Sequence, residues 1–418
     1  MSLANRTDFD VIIVGGGAVG ATLGLELDRL NYRVAVIERF HPSFSSSLPE
    51  RVVALNYGSR CHLERLGIWP GVSEQGTGDI RHIVVSEMGN RGSVGLDAAD
   101  GADFAPDMQE LGYVVEMGSL LKPMYALLEA SSVALFSGTT VKHVKASDDG
   151  VDIELQSVEQ SIGLKGALLV GADGTHSQIR RMAGIETFGW DYNRFALVAS
   201  VSCENGHNYT AHECFRRSGP LAFLPLADGR YSIVWAATPA EAAQLLAMSD
   251  EAFISALQRA AGSATIGQIG AITATSKRVS YPLELTVAKT FTAPHIALIG
   301  NAAHTIHPVA GQGMNLGFRD VVSLVEMLDG ELAQEDPGQN IILQGYADKR
   351  RSDVMAVAGF TETMSHLFGS EVPGVKWLRG MGLDKLTTAP SLSALLLKQA
   401  SGVGQMNAQE QEVSYVSR

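Results

Sequence analysis

At 418 residues, with 45% hydrophobic side chains, the chain is too long for one simple core and reads as two domains with a helical tail. A formal net charge of −13 excludes a general nucleic-acid binder, because no basic surface field is available, although a local basic channel stays open. Three cysteines, Cys61, Cys203 and Cys214, show no ligand spacing; they fit a reducing compartment and offer no metal site.

Met1–Asp8 reads as too short and polar for a signal peptide. No run of eighteen apolar residues free of charge occurs, so a spanning helix is not expected, while peripheral contact with a membrane stays open. Asp10–Val14 reads as a buried strand, and Gly15-Gly16-Gly17-Ala18-Val19-Gly20 follows at once. Ala18 to Leu30 reads as a helix with Val19, Leu23, Leu27 and Leu30 on one stripe. Arg33–Ile37 is a second strand that ends at Glu38. Strand, glycine turn, helix, strand and terminal acid together make the dinucleotide fingerprint. Gly15 permits the tight turn, Gly17 lets backbone approach a pyrophosphate, and Gly20 allows helix to pack closely on sheet. The helix N-terminus at Ala18 offers unpaired N–H groups to phosphates. Glu38 is placed to accept from a ribose, with Arg39 beside it.

Arg51–Leu55 continues this α/β unit, and Gly58–Leu66 reads as a helix. Arg81–Ser86 is a strand; Ser93–Pro106, rich in glycine and acids, is expected to be a solvent-exposed connection. Gly112–Glu116, Ser119–Ala130 and Val133–Phe136 read as strand, helix and strand. Val141–Ala146 and Val151–Leu155 flank Asp148-Asp149-Gly150 in a hairpin pattern. From Phe195 to Trp235 extended segments alternate with turns, which suits an antiparallel sheet. Ser249–Ala260 is expected to be a helix, His295–Ile299 a buried strand and Met314–Leu328 a long helix, with more helix across Leu343–Leu367. Pro373 and Pro390 are expected to break the tail, and the polar end beyond Ser401 to fray. The expected cofactor domain is discontinuous, over residues 1–75, 111–185 and 281–345. Residues 76–110 and 186–280 make the substrate domain, and 346–418 a helical C-terminal region.

Two further glycine-marked turns follow buried strands. Gly171-Ala172-Asp173-Gly174-Thr175-His176-Ser177 is followed by Arg180. Asp173 can hold a ribose or ribityl hydroxyl, or anchor the loop; Gly174 makes backbone room beside it. Gly300-Asn301-Ala302-Ala303-His304 leads to Pro308-Val309-Ala310-Gly311-Gln312-Gly313-Met314-Asn315, which enters the helix carrying Asp320. The small residues let backbone lie against something bulky, and Asn301 can offer its amide to polyol hydroxyls. Gly311 and Gly313 put N–H groups at a helix start, where they can stabilise charge on a reduced isoalloxazine.

In these three motifs the chain resembles the FAD-dependent aromatic hydroxylases of ubiquinone biosynthesis, and within them the hydroxylases of polyprenylated methoxyphenols. Phe215–Leu226 and Lys277-Arg278 before Tyr281-Pro282-Leu283 carry the finer likeness, which runs from residue 10 to about 395. One position departs: Asn301 stands where the wider group usually has aspartate. The resemblance implies an α/β fold, a Rossmann-like FAD-binding domain with an inserted, mostly antiparallel β-sheet substrate domain of the para-hydroxybenzoate hydroxylase kind and a helical C-terminal region. It implies FAD as cofactor and NAD(P)H as electron donor. It places Arg51 near the flavin, assigns Asp173, Gly174 and Arg180 to FAD and the nicotinamide donor, and assigns Gly300, Asn301, Pro308, Gly311, Gly313, Met314 and Asn315 to the flavin. The implied reaction hydroxylates a polyprenylated phenol with O₂ through a flavin C4a-hydroperoxide.

His304 and Pro308 are candidate walls of the substrate site, and Arg217, or Arg216, a candidate for steering a phenolic or acidic group. Each has a plainer alternative: a packed histidine, a proline that stiffens a turn, an arginine on a solvated face. Tyr281-Pro282 can shape the pocket or simply pack. A prenyl tail needs shielding worth about 0.8 kcal/mol per buried CH₂. Val372, Val375, Trp377, Leu378, Met381, Leu383, Leu392, Leu395, Leu396 and Leu397 are candidates for lipid or partner contact, with core packing or an oligomer contact as the alternative. The expectation is a cytoplasmic enzyme, with peripheral contact at the inner membrane, a quinone-biosynthesis complex and a homo-oligomer as candidate associations. Two other readings stand beside it: an FAD-dependent reductase of a prenylated substrate without oxygen insertion, and a non-catalytic flavin-holding partner.

Overall fold

Val11, Ile12 and Ile13 are wholly inaccessible, which only a strand covered on both faces allows. In the computed structural model that strand, Arg6–Val14, lies between Val34–Glu38 and Ser161–Gly171, parallel to both. Residues 6–42, 44, 51–88, 93–157, 160–306, 311–369 and 390–403 are described. The sheet continues outward to Ala134–Ser137 on one side and, on the other, to Ile296–Leu298 and the antiparallel Thr292–Ala293. The expected hairpin forms as Thr140–Ser147 and Gly150–Gln156, and pairs antiparallel with Ser161–Gly171. The helix Ala18–Arg29 crosses this sheet beside the helices Met117–Ala130 and Gln312–Leu328. Gly24 lets it approach closely: a Cβ there would lie 3.1 Å from Val36.

The second sheet is antiparallel apart from one pair. Its order is His304–Thr305, Val279–Ala288, Thr187–Cys203, Tyr231–Ala237, Leu221–Pro225, Thr210–Phe215, His82–Glu87 and Ser93–Asp97, with Ile272–Thr275 also paired to Thr187–Cys203. Thr210–Phe215 and His82–Glu87 are the parallel exception. One face is covered by the helices Pro239–Ala247 and Asp250–Ile269, which bury Leu197, Phe223, Ile233 and Trp235 against Phe253 and Leu257. The other, inner face turns toward the first domain. A small sheet of Val52–Asn56, Gly112–Glu116 and Gly78–Ile80 packs against part of it.

Three expectations need correction. Ser93–Pro106 is not an open connection: Ser93–Asp97 is a strand and Ala98–Gly101 a 3₁₀ turn, with Val94, Ala98 and Ala105 buried. Its apolar residues are few but alternate, and pairing with His82–Glu87 turns Val94 inward. The helix from Asp250 passes beyond Ala260 to Ile269, and its only non-helical residue is Gly262, at φ 77°. Pro390 starts a helix instead of breaking one, as a proline in the first turn can. That helix, Pro390–Ser401, buries Leu397 in the inner cluster and leaves Leu395 exposed, so Leu397 has the packing role. Val372, Val375, Trp377, Leu378, Met381 and Leu383 lie outside the described residues.

Candidate active site

The three glycine turns meet at the carboxyl ends of three adjacent parallel strands, the place where open α/β sheets bind ligands. Gly15, at φ +112°, sits so close to the second turn that a Cβ would lie 2.3 Å from the Ala172 carbonyl oxygen. A Cβ on Gly20 would lie 1.9 Å from the Gly15 oxygen. The two turns are also joined by Ala172 N–H donating to Val14 O (2.7 Å) and, to the third strand, by Ile299 N–H donating to Gly171 O (3.0 Å). The late turn approaches the first helix, with Gly300 and Gly317 both against Val19.

Around the first turn, Gly17 is exposed and a Cβ there would meet nothing within 4 Å. The helix it caps, beginning at Ala18, has no side-chain cap on its N–H groups. Glu38 accepts from Gly16 N–H (2.7 Å) and Phe40 N–H (3.0 Å), one bond to each carboxylate oxygen. Each oxygen keeps a further lone pair for a ligand hydroxyl. Arg39 is exposed and lies over the Phe40 ring.

In the second turn the loop-anchoring alternative for Asp173 holds. Its carboxylate accepts from Ser177 Oγ, Gln178 N–H (2.6 Å) and Ile179 N–H (3.1 Å), and so supports the start of the short helix Gln178–Met182, whose N-cap is Ser177. Gly174, at φ +83°, leaves open space beside it. Arg180 is buried and clamps two turns, donating to Ala302 O (2.7 Å) and Thr175 O (2.8 Å). Burial lowers its pKa from the ordinary guanidinium value, and Asp173 opposes the shift. Both residues build the site through other groups.

The late motif divides. Gly313 faces open space, and the helix Gln312–Leu328 starts from Gly311, at φ +62°, without a side-chain cap. Gly311 is pressed on Ala54, whose Cβ a side chain would meet at 2.7 Å. Asn301 is exposed, and Met314 is half-buried next to Gly313. The side chain of Asn315 is committed within the protein. Its Oδ1 accepts from Asn56 N–H and Ser59 Oγ, and its Nδ2 donates to Ala54 O and Gly311 O, filling its bonding capacity. Pro308 lies outside the described residues.

His304 does not line a substrate site. It is 1% exposed and turns inward, its Nε2 2.6 Å from Asp320 Oδ2. Asp320 also accepts from Gly300 N–H (2.7 Å) and Arg350 Nε (2.7 Å). Burial alone would raise the Asp320 carboxyl, but His304, Arg350 and the Gly300 N–H together hold it below the usual value. Arg350 reaches on to Asp353, which also pairs with Arg319 (2.8 Å). Asp320 and Arg350 are the residues sequence reasoning missed. A carboxylate between Leu316 and Leu324 on the buried stripe of a helix is the signal that marks one of them.

Arg217 is exposed, just beyond the strand Thr210–Phe215, which is the solvated-face alternative. Arg216 is buried on the helix-covered side, its guanidinium 4.8 Å from the Trp235 ring. Tyr281 is 42% exposed at the rim of the inner face. Arg51 is exposed, and its carbonyl accepts from Met117 N–H. Among the described residues no group of side chains could hold a metal ion.

These features fit FAD. Two uncapped helix N-termini, with open space at Gly17 and Gly313, face the junction of the three turns. Comparison with known proteins agrees. The family model described as FAD binding domain matches residues 8–361. The 3-demethoxyubiquinol 3-hydroxylase of Escherichia coli (strain K12) is 32% identical over 94% of this chain and 98% of its own length. Ubiquinone hydroxylase UbiL of Rhodospirillum rubrum is 32% identical over 94% of this chain and 89% of its own. The crystal structure of p-nitrophenol 4-monooxygenase PnpA from Pseudomonas putida DLL-E4 superposes with a TM-score of 0.77 at 18% identity, covering 97% of this chain and 100% of that one.

Proposed function

This chain belongs to the FAD binding domain family, among the FAD-dependent hydroxylases related to the ubiquinone-biosynthesis monooxygenases, and from that premise we propose that it hydroxylates the ring of a polyprenylated phenol, with 2-octaprenyl-6-methoxyphenol hydroxylase as its nearest functional counterpart. NADH or NADPH is the electron donor and O₂ the co-substrate. Convergence of the three turns on one junction is the observation that carries this reading.

The open backbone at Gly17 and the helix start at Ala18 hold the pyrophosphate, and Glu38 takes a ribose hydroxyl. FAD, when bound, supplies electron transfer from the nicotinamide and activation of O₂. The N–H groups at the Gly311–Gly313 helix start stabilise negative charge on the ring system. Asp320 and Arg180 fix the turn at Gly300–Ala302 by its Gly300 N–H and Ala302 carbonyl, so that turn is set before the ligand arrives. The inner face of the large sheet excludes water from the reacting carbon. No helix among the described residues is long and apolar enough to cross a membrane; in this reading a peripheral contact suffices to collect the prenylated substrate.

The test is consumption of NADH and of NADPH with and without a short-chain prenyl phenol, with the product weighed by mass spectrometry. Phenol-stimulated consumption and a gain of one oxygen atom are expected. Consumption without that gain favours a reductase.

A further inference from the structure

The inner face of the large sheet carries an acid that the reading above does not use. Side chains alternate along Thr210–Phe215. His212 stands edge-on to Tyr231, with centroids 6.0 Å apart, and Cys214 Sγ lies 3.9 Å from Ala260 O, so both face the helix layer. Ala211 packs in the cluster on the opposite face. Glu213, between His212 and Cys214, therefore points inward. Its cross-strand neighbours are Ala222 and Val85, neither of which can partner a carboxylate.

Two apolar patches flank this position. Ala211, Ile83 and Leu224 form one, and it includes Val52, on the same strand as the Ala54 that Gly311 presses. Ala196, Val234, Ala236 and Leu283 form the other, and Leu283 lies on the strand that pairs with His304–Thr305. Glu213 thus lies on the inner face between two clusters that each include an element tied to the late glycine motif. It is half-buried by its surface. Burial alone pushes its carboxyl up to about 7.

Few titratable groups share its surroundings. Leu221–Pro225 carries none. On His82–Glu87, Glu87 stands opposite Phe215, one inner-face position along, with the exposed Arg217 two residues after Phe215, and His82 at the far end pairs with Asp97. The charged residues of Asp250–Ile269 are on the helix side. Across the inner clusters stand Tyr57, Cys61 and Tyr192, all neutral near pH 7. A carboxylate among apolar groups is costly unless a ligand donates to it.

We propose that Glu213 accepts the proton of the substrate's phenol hydroxyl. The phenol O–H bond breaks, its electron pair stays on the ring oxygen, and the proton forms an O–H bond on the Glu213 carboxylate. The resulting phenolate enriches the ring carbons in electrons for attack on activated oxygen. This inference rests on the hydroxylase reading.

The test uses the FAD-loaded full chain and a series of ring-fluorinated prenyl phenols of rising acidity. Wild type, Glu213→Gln and Glu213→Asp are compared by single-turnover hydroxylation rate and by FAD affinity. For the least acidic phenol the Gln variant is expected to lose about 10²- to 10⁴-fold. The loss shrinks as phenol acidity rises, Asp restores part of the rate, and FAD affinity is unchanged. A Gln variant as fast as wild type, or slowed by one constant factor across the series, overturns the inference and leaves the hydroxylase reading standing. A wild type whose product gains no oxygen overturns both.

Discussion

The first and the late glycine turns end neighbouring regions of one sheet, yet they lean on different means, the first mainly on close contact and the late one mainly on buried charge. The first is shaped by backbone and by missing atoms: Gly15 N–H donates to Ile37 O (2.8 Å), and no Cβ fits at Gly15 or Gly20. The late turn is held by charge, with Asp320 drawing together Gly300, His304 and Arg350 in a site closed to water. A turn built on contact fails when an atom is added. A turn built on buried charge fails when a charge is removed.

Breaking the late turn has the largest expected effect. Asp320→Asn removes the buried carboxylate shared by Gly300 N–H, His304 and Arg350, leaves Arg350 only Asp353, and should cost about 3–5 kcal/mol in urea unfolding. Its pH dependence has a definite sign. The folded-state pKa of Asp320 is lowered, so its contribution is present above the unfolded carboxyl pKa and is lost as pH falls through the folded value. The variant should lack that part of the acid-side loss. A variant as stable as wild type would mean that backbone alone holds this turn too.

Gly20→Ala tests the steric side of the contrast. Its Cβ would start 1.9 Å from the Gly15 oxygen, and overpacking of this kind costs about 1–3 kcal/mol. Loss of FAD should accompany the lower unfolding midpoint. Glu38→Gln keeps the shape and removes the charge. Charge-assisted bonds contribute about 1.5–3 kcal/mol, so FAD should bind about 10- to 100-fold more weakly in equilibrium titration. At the small end, Arg217→Ala should change stability by less than about 0.5 kcal/mol and leave phenol KM unaltered. A large rise in KM would restore Arg217 to the substrate site.

What could be read in advance follows the same contrast. The first turn was legible because each glycine's task is local: a positive φ, an open approach, a helix against a sheet. The strands around it were legible by their unbroken apolar runs. Side-chain direction in the late motif was not. His304 and Asn315 are residue types that suit a ligand, but His304 turns to Asp320, and Asn315 spends its amide on Ala54, Asn56, Ser59 and Gly311. Arg350 comes from a distant helix, and no local spacing announces it. Glu213 was passed over because alternation gives two faces without saying which one looks inward. Ser93–Pro106 was misread because acids and glycines outnumber the few apolar residues that pair it into the sheet.

The central claim is that the three turns share one FAD, its nucleotide end at Gly17 and its ring at Gly313. It is tested most directly by titrating FAD into the apoprotein and into Gly17→Val and Gly313→Val, both placed where a side chain meets open space. One FAD per chain is expected, with each variant at least about tenfold weaker and each unfolding within about 1 kcal/mol of wild type. Undiminished binding in either variant, or no binding in the parent, would contradict it.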